Sequence, residues 1–221
     1  MQKIVILLIP ALAYCLTGSA QHLLETAVEA PTANEQALAY YTKGYEAFHR
    51  HRFKKAIKLY KQAISHDPAF TDAYDNCGLS FRYAGNLDSA EAYYRRSLQL
   101  RPEGMVARRN LAIVLEARGD LNAALREFER LQRANPDEAE AYYGAARLYI
   151  SQQKPDEALK NAQQALAIYQ AQKSPFVGDA EFFIGLAYYL KKEKTRAKMH
   201  FEEAARLGTQ LPQALRLEFG L

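Results

Sequence analysis

The sequence predicts an all-α fold, a stack of about five helix-turn-helix hairpins closed by a short C-terminal capping helix. Three observations lead there. Pro68, Pro102 and Pro136 follow one another at steps of 34 residues, each with an alanine twelve residues earlier (Ala56, Ala90, Ala124) and an aromatic eight residues earlier (Tyr60, Tyr94, Phe128). A further column of small residues, Gly44, Gly78 and Ala112, advances in the same register. Between the columns the apolar residues keep helical spacing: Tyr74, Cys77, Gly78 and Phe81 stand at i, i+3, i+4 and i+7 of one face. Columns that march together at a fixed step mark a repeated supersecondary unit.

Each element has a physical reason. A glycine inside a helix costs about 1 kcal/mol against alanine, which is explicable at Gly44 and Gly78 if a second helix crosses there. Ala56, Ala90, Ala124, Ala158 and Ala197 mark the matching contact on that second helix, where a larger side chain would overpack at about 1–3 kcal/mol. Ala84-Gly85-Asn86 and Arg118-Gly119-Asp120 end first helices on glycine, with Asn86 and Asp120 placed to cap the second helices. Asp67-Pro68, Arg101-Pro102 and Asn135-Pro136 end second helices, because the residue before proline avoids the helical region. Pro155 opens a helix instead, at a position where its missing N–H costs little. Past Gln172 the register slips by five residues, and Pro175 and Gly178 predict a surface loop or an extended helix end there. Leu211, Leu215, Leu217 and Phe219 form a capping helix, expected to fold over the apolar face of Phe182, Leu186, Tyr189 and Leu190.

These columns resemble the tetratricopeptide family, whose unit is a 34-residue helix-turn-helix. On that pattern the repeats are 37–70, 71–104, 105–138, 139–172 and 178–208, with 209–221 as the cap. The fourth carries Ala162 in the aromatic column and no closing proline, while the fifth keeps Gly185, Tyr188, Ala197, Phe201 and Ala204. The resemblance implies a right-handed superhelical solenoid whose first helices line a concave groove for a peptide or a partner protein. Carried over residue by residue, the groove positions are Tyr41, Tyr45 and Phe48; Asn76, Leu79 and Tyr83, with Asp75; Arg109, Asn110 and Ile113; and Tyr143 and Arg147, with Ile150. Tyrosine and arginine are enriched at binding hot spots, the asparagines suit a ligand backbone, and the arginines suit carboxylates. The carboxylate clamp of chaperone-binding members is missing: Tyr41, Tyr45, Val106 and Asn110 occupy its places and only Asn76 matches.

The N-terminus reads differently. Lys3, the apolar run Ile4–Tyr14 and the small residues Thr17-Gly18-Ser19-Ala20 have the order of a secretory signal over residues 1–20. The run falls short of the about 20 apolar residues a membrane span needs. Leu12-Ala13-Tyr14-Cys15 also resembles the lipid-attachment site of bacterial lipoproteins, although Tyr14 stands where that family has a small residue. Two outcomes stay open: cleavage after Ala20, giving a periplasmic or secreted protein, or anchorage to a membrane through Cys15. Residues 21–36 are expected to be a tether.

Apolar residues make up 49% and charged residues 24%, the composition of a globular chain. The net charge of +4 is spread with both signs interspersed, so no nucleic-acid partner is expected. Cys77, the sole cysteine beyond residue 20, reads as a small buried apolar residue. No phosphate-loop, nucleophile-elbow, H-E-x-x-H or C-x-x-C motif occurs, so the expectation is a chain without enzymatic activity, cofactor or metal. His49-Arg50-His51-Arg52 forms a basic cluster in the first repeat. It is either a solvated helix end or a contact for an acidic partner or anionic lipid headgroups. The function expected is an interaction scaffold in the assembly of a cell-envelope complex. The alternative is an accessory subunit of an exported enzyme such as a peptidoglycan hydrolase.

Overall fold

The computed structural model describes Thr32 and residues 34–221. The described residues form eleven helices: α1 (Glu35–His49), α2 (Phe53–His66), α3 (Thr71–Tyr83), α4 (Leu87–Leu100), α5 (Met105–Ala117), α6 (Leu121–Ala134), α7 (Ala139–Ser151), α8 (Pro155–Ala171), α9 (Val177–Leu190), α10 (Lys194–Arg206) and α11 (Gln213–Phe219). They fall into two compact units, one ending at Ala134 with α1–α6 and the other running from Asn135 to Leu221 with α7–α11. The expectations for residues 1–20, Cys15 included, lie outside the described residues.

In the first unit α2 and α4 each pack on their own first helix and on the first helix of the next hairpin, and α6 packs on α5. Helix α3 also touches α1 and α5. The columns read from the sequence are the interior: Ala56, Tyr60, Ala90, Tyr94, Ala124 and Phe128 are all fully or almost fully buried. What keeps the glycines small is the aromatic column rather than the alanines. A Cβ on Gly44 would stand 2.8 Å from a ring carbon of Tyr60, and one on Gly78 would stand 3.0 Å from Tyr94. Cys77 is buried and free, and burial pushes its thiol up to about 12.

The hairpin turns share one backbone device. Positions 51, 85, 119 and 153, again 34 apart, all take positive φ, at 55°, 79°, 86° and 56°. Glycine adopts this left-handed conformation without a Cβ penalty at 85 and 119, whereas His51 and Gln153 hold it as L-residues. Asn86 then caps α4 by accepting from the Ser89 amide at 3.0 Å.

The end of the stretch read as a tether is structured. Helix α1 begins at Glu35, inside the 21–36 segment, because Asn34 Oδ1 accepts from the Ala37 amide at 2.9 Å. Asn34 Nδ2 also donates to the His66 carbonyl at 2.9 Å, and buried Thr32 donates to the Asp67 carboxylate. The start of the first hairpin is thus fastened to its own far end.

In the second unit α8 has 17 residues where α2, α4 and α6 each have 14. The five extra residues are therefore shared between an extended helix end and a turn in which Lys173 has φ 53°. Gln172 Nε2 ties that turn to the Asp137 carbonyl at 3.3 Å. Gly185 repeats the glycine–ring contact, its Cβ position lying 2.6 Å from Phe201. Helix α11 closes the unit by burying Leu215 and Phe219 in one cluster with Phe182, Leu186, Tyr189 and Phe201. Tyr189 Oη donates to Glu218 Oε2 at 2.9 Å and Lys194 Nζ meets Glu218 Oε1 at 2.9 Å. Burial raises the Glu218 pKa, but these two donors outweigh it and hold the carboxyl below its ordinary range. No helix among the described residues is long and apolar enough to cross a membrane.

Candidate functional site

A 34-residue repeat stacked on itself brings residues 35 apart side by side, and the contacts between hairpins show this register. Asn76 Nδ2 donates to Tyr41 Oη at 2.9 Å, and the Phe48 and Tyr83 rings meet edge-on at 5.4 Å. These contacts decide which groove residues are free to bind. Tyr41 lies with its ring against Tyr60 and Phe70, and burial raises its hydroxyl pKa. Asn76 gives its other N–H to the Asp72 carbonyl at 3.0 Å and is 7% exposed. Its assignment to a ligand backbone is corrected: one hydrogen ties repeat 2 to repeat 1 and the other bonds back within α3. Phe48, 6% exposed, is likewise a packing residue, wedged against Phe53 and Tyr83.

What remains on the first-helix face of this unit is a half-exposed rim. Tyr45 leans on His49 with ring centroids 4.2 Å apart. Leu79 and Ile113 are half-buried, Tyr83 is 39% exposed with the Arg82 guanidinium 5.0 Å over its ring, and Arg109 is half-buried. Asn110 differs from Asn76. It too is 7% exposed, but its side-chain amide bonds to none of the described residues. The remaining two predicted residues belong to the second unit. Tyr143 packs edge-on against Phe183 at 5.0 Å and Arg147 is buried, as is Ile150. Arg147 and Ile150 are thus interior, and Tyr143 is half-buried.

Asp75 behaves differently from a surface groove residue. It is 7% exposed, with the Ser97 hydroxyl and the Arg101 guanidinium nearby, the latter at 3.8 Å and itself bonded to Asp72 at 3.0 Å. Burial pushes its pKa up to about 6, and Ser97 and Arg101 only partly offset this. The folded pKa thus lies above the ordinary 3.8. The group favours the native state most below that value and loses the advantage as pH rises through about 6. Asp75→Asn is expected to be more stable than the wild type at pH 7.5, by at most about 3 kcal/mol, and equal to it near pH 4. Urea denaturation at the two pH values measures this, and a variant less stable at pH 7.5 would contradict it.

Spacing alone missed another arrangement. Glu127, 6% exposed, is clasped by Arg108 at 2.9 Å and Arg130 at 2.6 Å. Arg130 is one helical turn away and was readable, but Arg108 comes from the partner helix of the hairpin. Among the described residues no three His, Cys, Asp or Glu side chains gather as metal ligands.

Hairpins whose second helices bury an alanine and an aromatic column and whose first helices keep a polar and aromatic rim define an α-hairpin repeat protein. Two family models, both described as tetratricopeptide repeat, match the chain, one at residues 81–143 and 115–176 and the other at 37–70. The chain belongs to the tetratricopeptide-repeat family. Among curated proteins it is 30% identical over 97 residues to the protein O-mannosyl-transferase TMTC1 of Mus musculus, a match covering 43% of this chain and 10% of that protein. It is 28% identical over 122 residues to the photosystem I assembly protein Ycf3 of Cyanophora paradoxa, covering 53% of this chain and 65% of that one. The chain thus spans about a tenth of the first relative and just under two thirds of the second. Among solved structures, YrrB, described as a TPR protein with an unusual peptide-binding site, superimposes with a TM-score of 0.66 at 19% identity over 88% of this chain and 98% of that one. At that identity the likeness is one of fold.

Proposed function

We propose that this protein is a non-catalytic scaffold that binds a peptide or partner protein on the first-helix face of α1, α3 and α5. The observation that carries this reading is the contrast between the two asparagines. Asn76 is consumed by a contact between repeats, whereas Asn110 keeps an amide that bonds to no described residue, between half-buried Arg109 and Ile113. An amide held in a rigid helix beside an arginine and apolar rims is suited to an extended backbone with an acidic group nearby. The peptide-binding site in the description of YrrB and the assembly role in the name of Ycf3 agree with it. The setting we propose is the cell envelope, in assembly of a complex there. This rests on the order of charge, apolar run and small residues in positions 1–20.

Pull-down from envelope extracts tests the site. Tyr45→Ala/Arg109→Glu is expected to recover about tenfold less partner than the wild type, the effect of losing hot-spot contacts worth at least about 1.4 kcal/mol. Equal recovery by both proteins would remove the groove assignment. Fractionation of cells carrying the wild type or Cys15→Ser reads the location: an anchored protein moves to the soluble fraction on substitution, and a cleaved one does not move.

A further inference from the structure

The basic cluster of the first hairpin is not accounted for by the groove. Lys43, Glu46 and Ala47 of α1, Arg50 just past its end, Arg52 just before α2 and Lys55 in its first turn line an open cavity of about 110 Å³. Four cations and one carboxylate line it. None of the four makes an ion pair with a described residue, and Glu46, although one turn from Arg50, makes none either. Cations normally avoid such crowding, since like charges repel unless an anion lies between them.

The helix beneath adds to the imbalance. The N-cap position of α2 is Arg52, which makes no side-chain cap hydrogen bond, and the first turn contains Lys54 and Lys55 but no acidic residue. Positive side chains stand at the positive end of the helix dipole, where an acidic residue or a bound anion would be favourable. Arg50, Arg52 and Lys55 also lie beside His51, whose left-handed φ of 55° turns the chain so that the end of α1 and the start of α2 face the same cavity.

We propose that this cavity is a binding site for a phosphate-type oxyanion, carried by a lipid headgroup or free in solution. Arg50 and Arg52 offer planar guanidinium donors, which match phosphate oxygens in pairs, while Lys43 and Lys55 add point charges from the two sides. The site uses none of the residues of the first-helix rim.

The full chain is titrated with inorganic phosphate by calorimetry at constant ionic strength. Saturable binding near one ion per chain is expected. Arg50→Gln/Arg52→Gln and Lys43→Gln/Lys55→Gln, all at exposed positions that leave the core untouched, should each weaken it about tenfold or more. Arg126→Gln/Arg133→Gln, which removes the same charge from exposed positions on α6, should leave it within about twofold. No saturable binding, or equal loss in the α6 variant, would overturn the site. A second arm names the source of the anion, using co-sedimentation with phosphatidylcholine vesicles containing one part phosphatidic acid in five. If the acidic vesicles retain the wild type and the α6 variant but not the Arg50/Arg52 variant, the source is a headgroup. If they retain none of the three while phosphate still saturates the wild type, it is a soluble phosphate. Retention of all three alike assigns vesicle binding to diffuse charge and overturns the headgroup source.

Discussion

Leu215→Ala is expected to lower the stability of the second unit by about 2–5 kcal/mol, the range for emptying a fully buried leucine site that cannot collapse around the loss. The side chain is 0% exposed and stands in one cluster with Phe182, Leu186, Phe201 and Phe219. A seven-residue helix has little stability of its own, because nucleating a helix costs more than a single turn returns. Helix α11 is therefore held by the apolar surface it buries, together with the Tyr189–Glu218–Lys194 contacts. Removing 211–221 altogether should uncover Tyr189 and Phe201 and produce a chain prone to association, since contiguous apolar faces of this kind seek cover. Thermal denaturation and light scattering of the two variants measure this. A truncated chain as stable and as soluble as the wild type would mean that α11 is not a cap. The exposed Leu217, 77% accessible on the other side of the same helix, provides the internal control, because Leu217→Ala should change stability by less than about 0.5 kcal/mol.

The repeat is legible because it is written several times over. One proline or one glycine says little, but Gly44, Gly78, Tyr60 and Tyr94 in register say that two helices cross at a fixed place. The reason for the glycine is harder to read, and the alanine column is the wrong place to look for it. Spacing along a helix names the residues that share a face, but not which residue of the facing helix comes nearest. The groove suffers most from the same limit. Phe48 and Asn76 share a helix face with Tyr45 and Leu79, and only the stacking of hairpins decides that Phe53, Tyr83 and Tyr41 take them up. A step of 34 in sequence becomes a neighbour at 35 in space, so Tyr41 and Asn76 are related by geometry that no single hairpin contains. The fastening of Thr32 to Asp67 and of Asn34 to His66 is invisible in the sequence for a like reason: these contacts are polar, and no apolar spacing announces them.

The glycine–ring contact can be read as a coupling energy. Gly185→Val should destabilise the second unit by about 3 kcal/mol or more, at the upper end of overpacking, because even the bare Cβ would lie 2.6 Å from two carbons of Phe201 and 3.3 Å from the Ala197 carbonyl. The ring has little room to give way, since Phe182 and Phe219 lie 5.9 Å and 5.2 Å from it. Phe201→Ala alone should cost about 3–5 kcal/mol through the cavity it leaves. The double variant places a new side chain where the ring was, so its loss should fall short of the sum by about 1–3 kcal/mol, a magnitude typical of residues in direct contact. The chain already contains a version of this solution: repeat 4 has Ala146 and Ala162 in the two columns, both essentially inaccessible, a small pair where the fifth repeat has glycine and phenylalanine. Chemical denaturation of the four proteins closes the cycle. Strict additivity would mean that Phe201 is not what keeps position 185 a glycine, and the helix crossing would then have to be set by the Ala197 backbone instead.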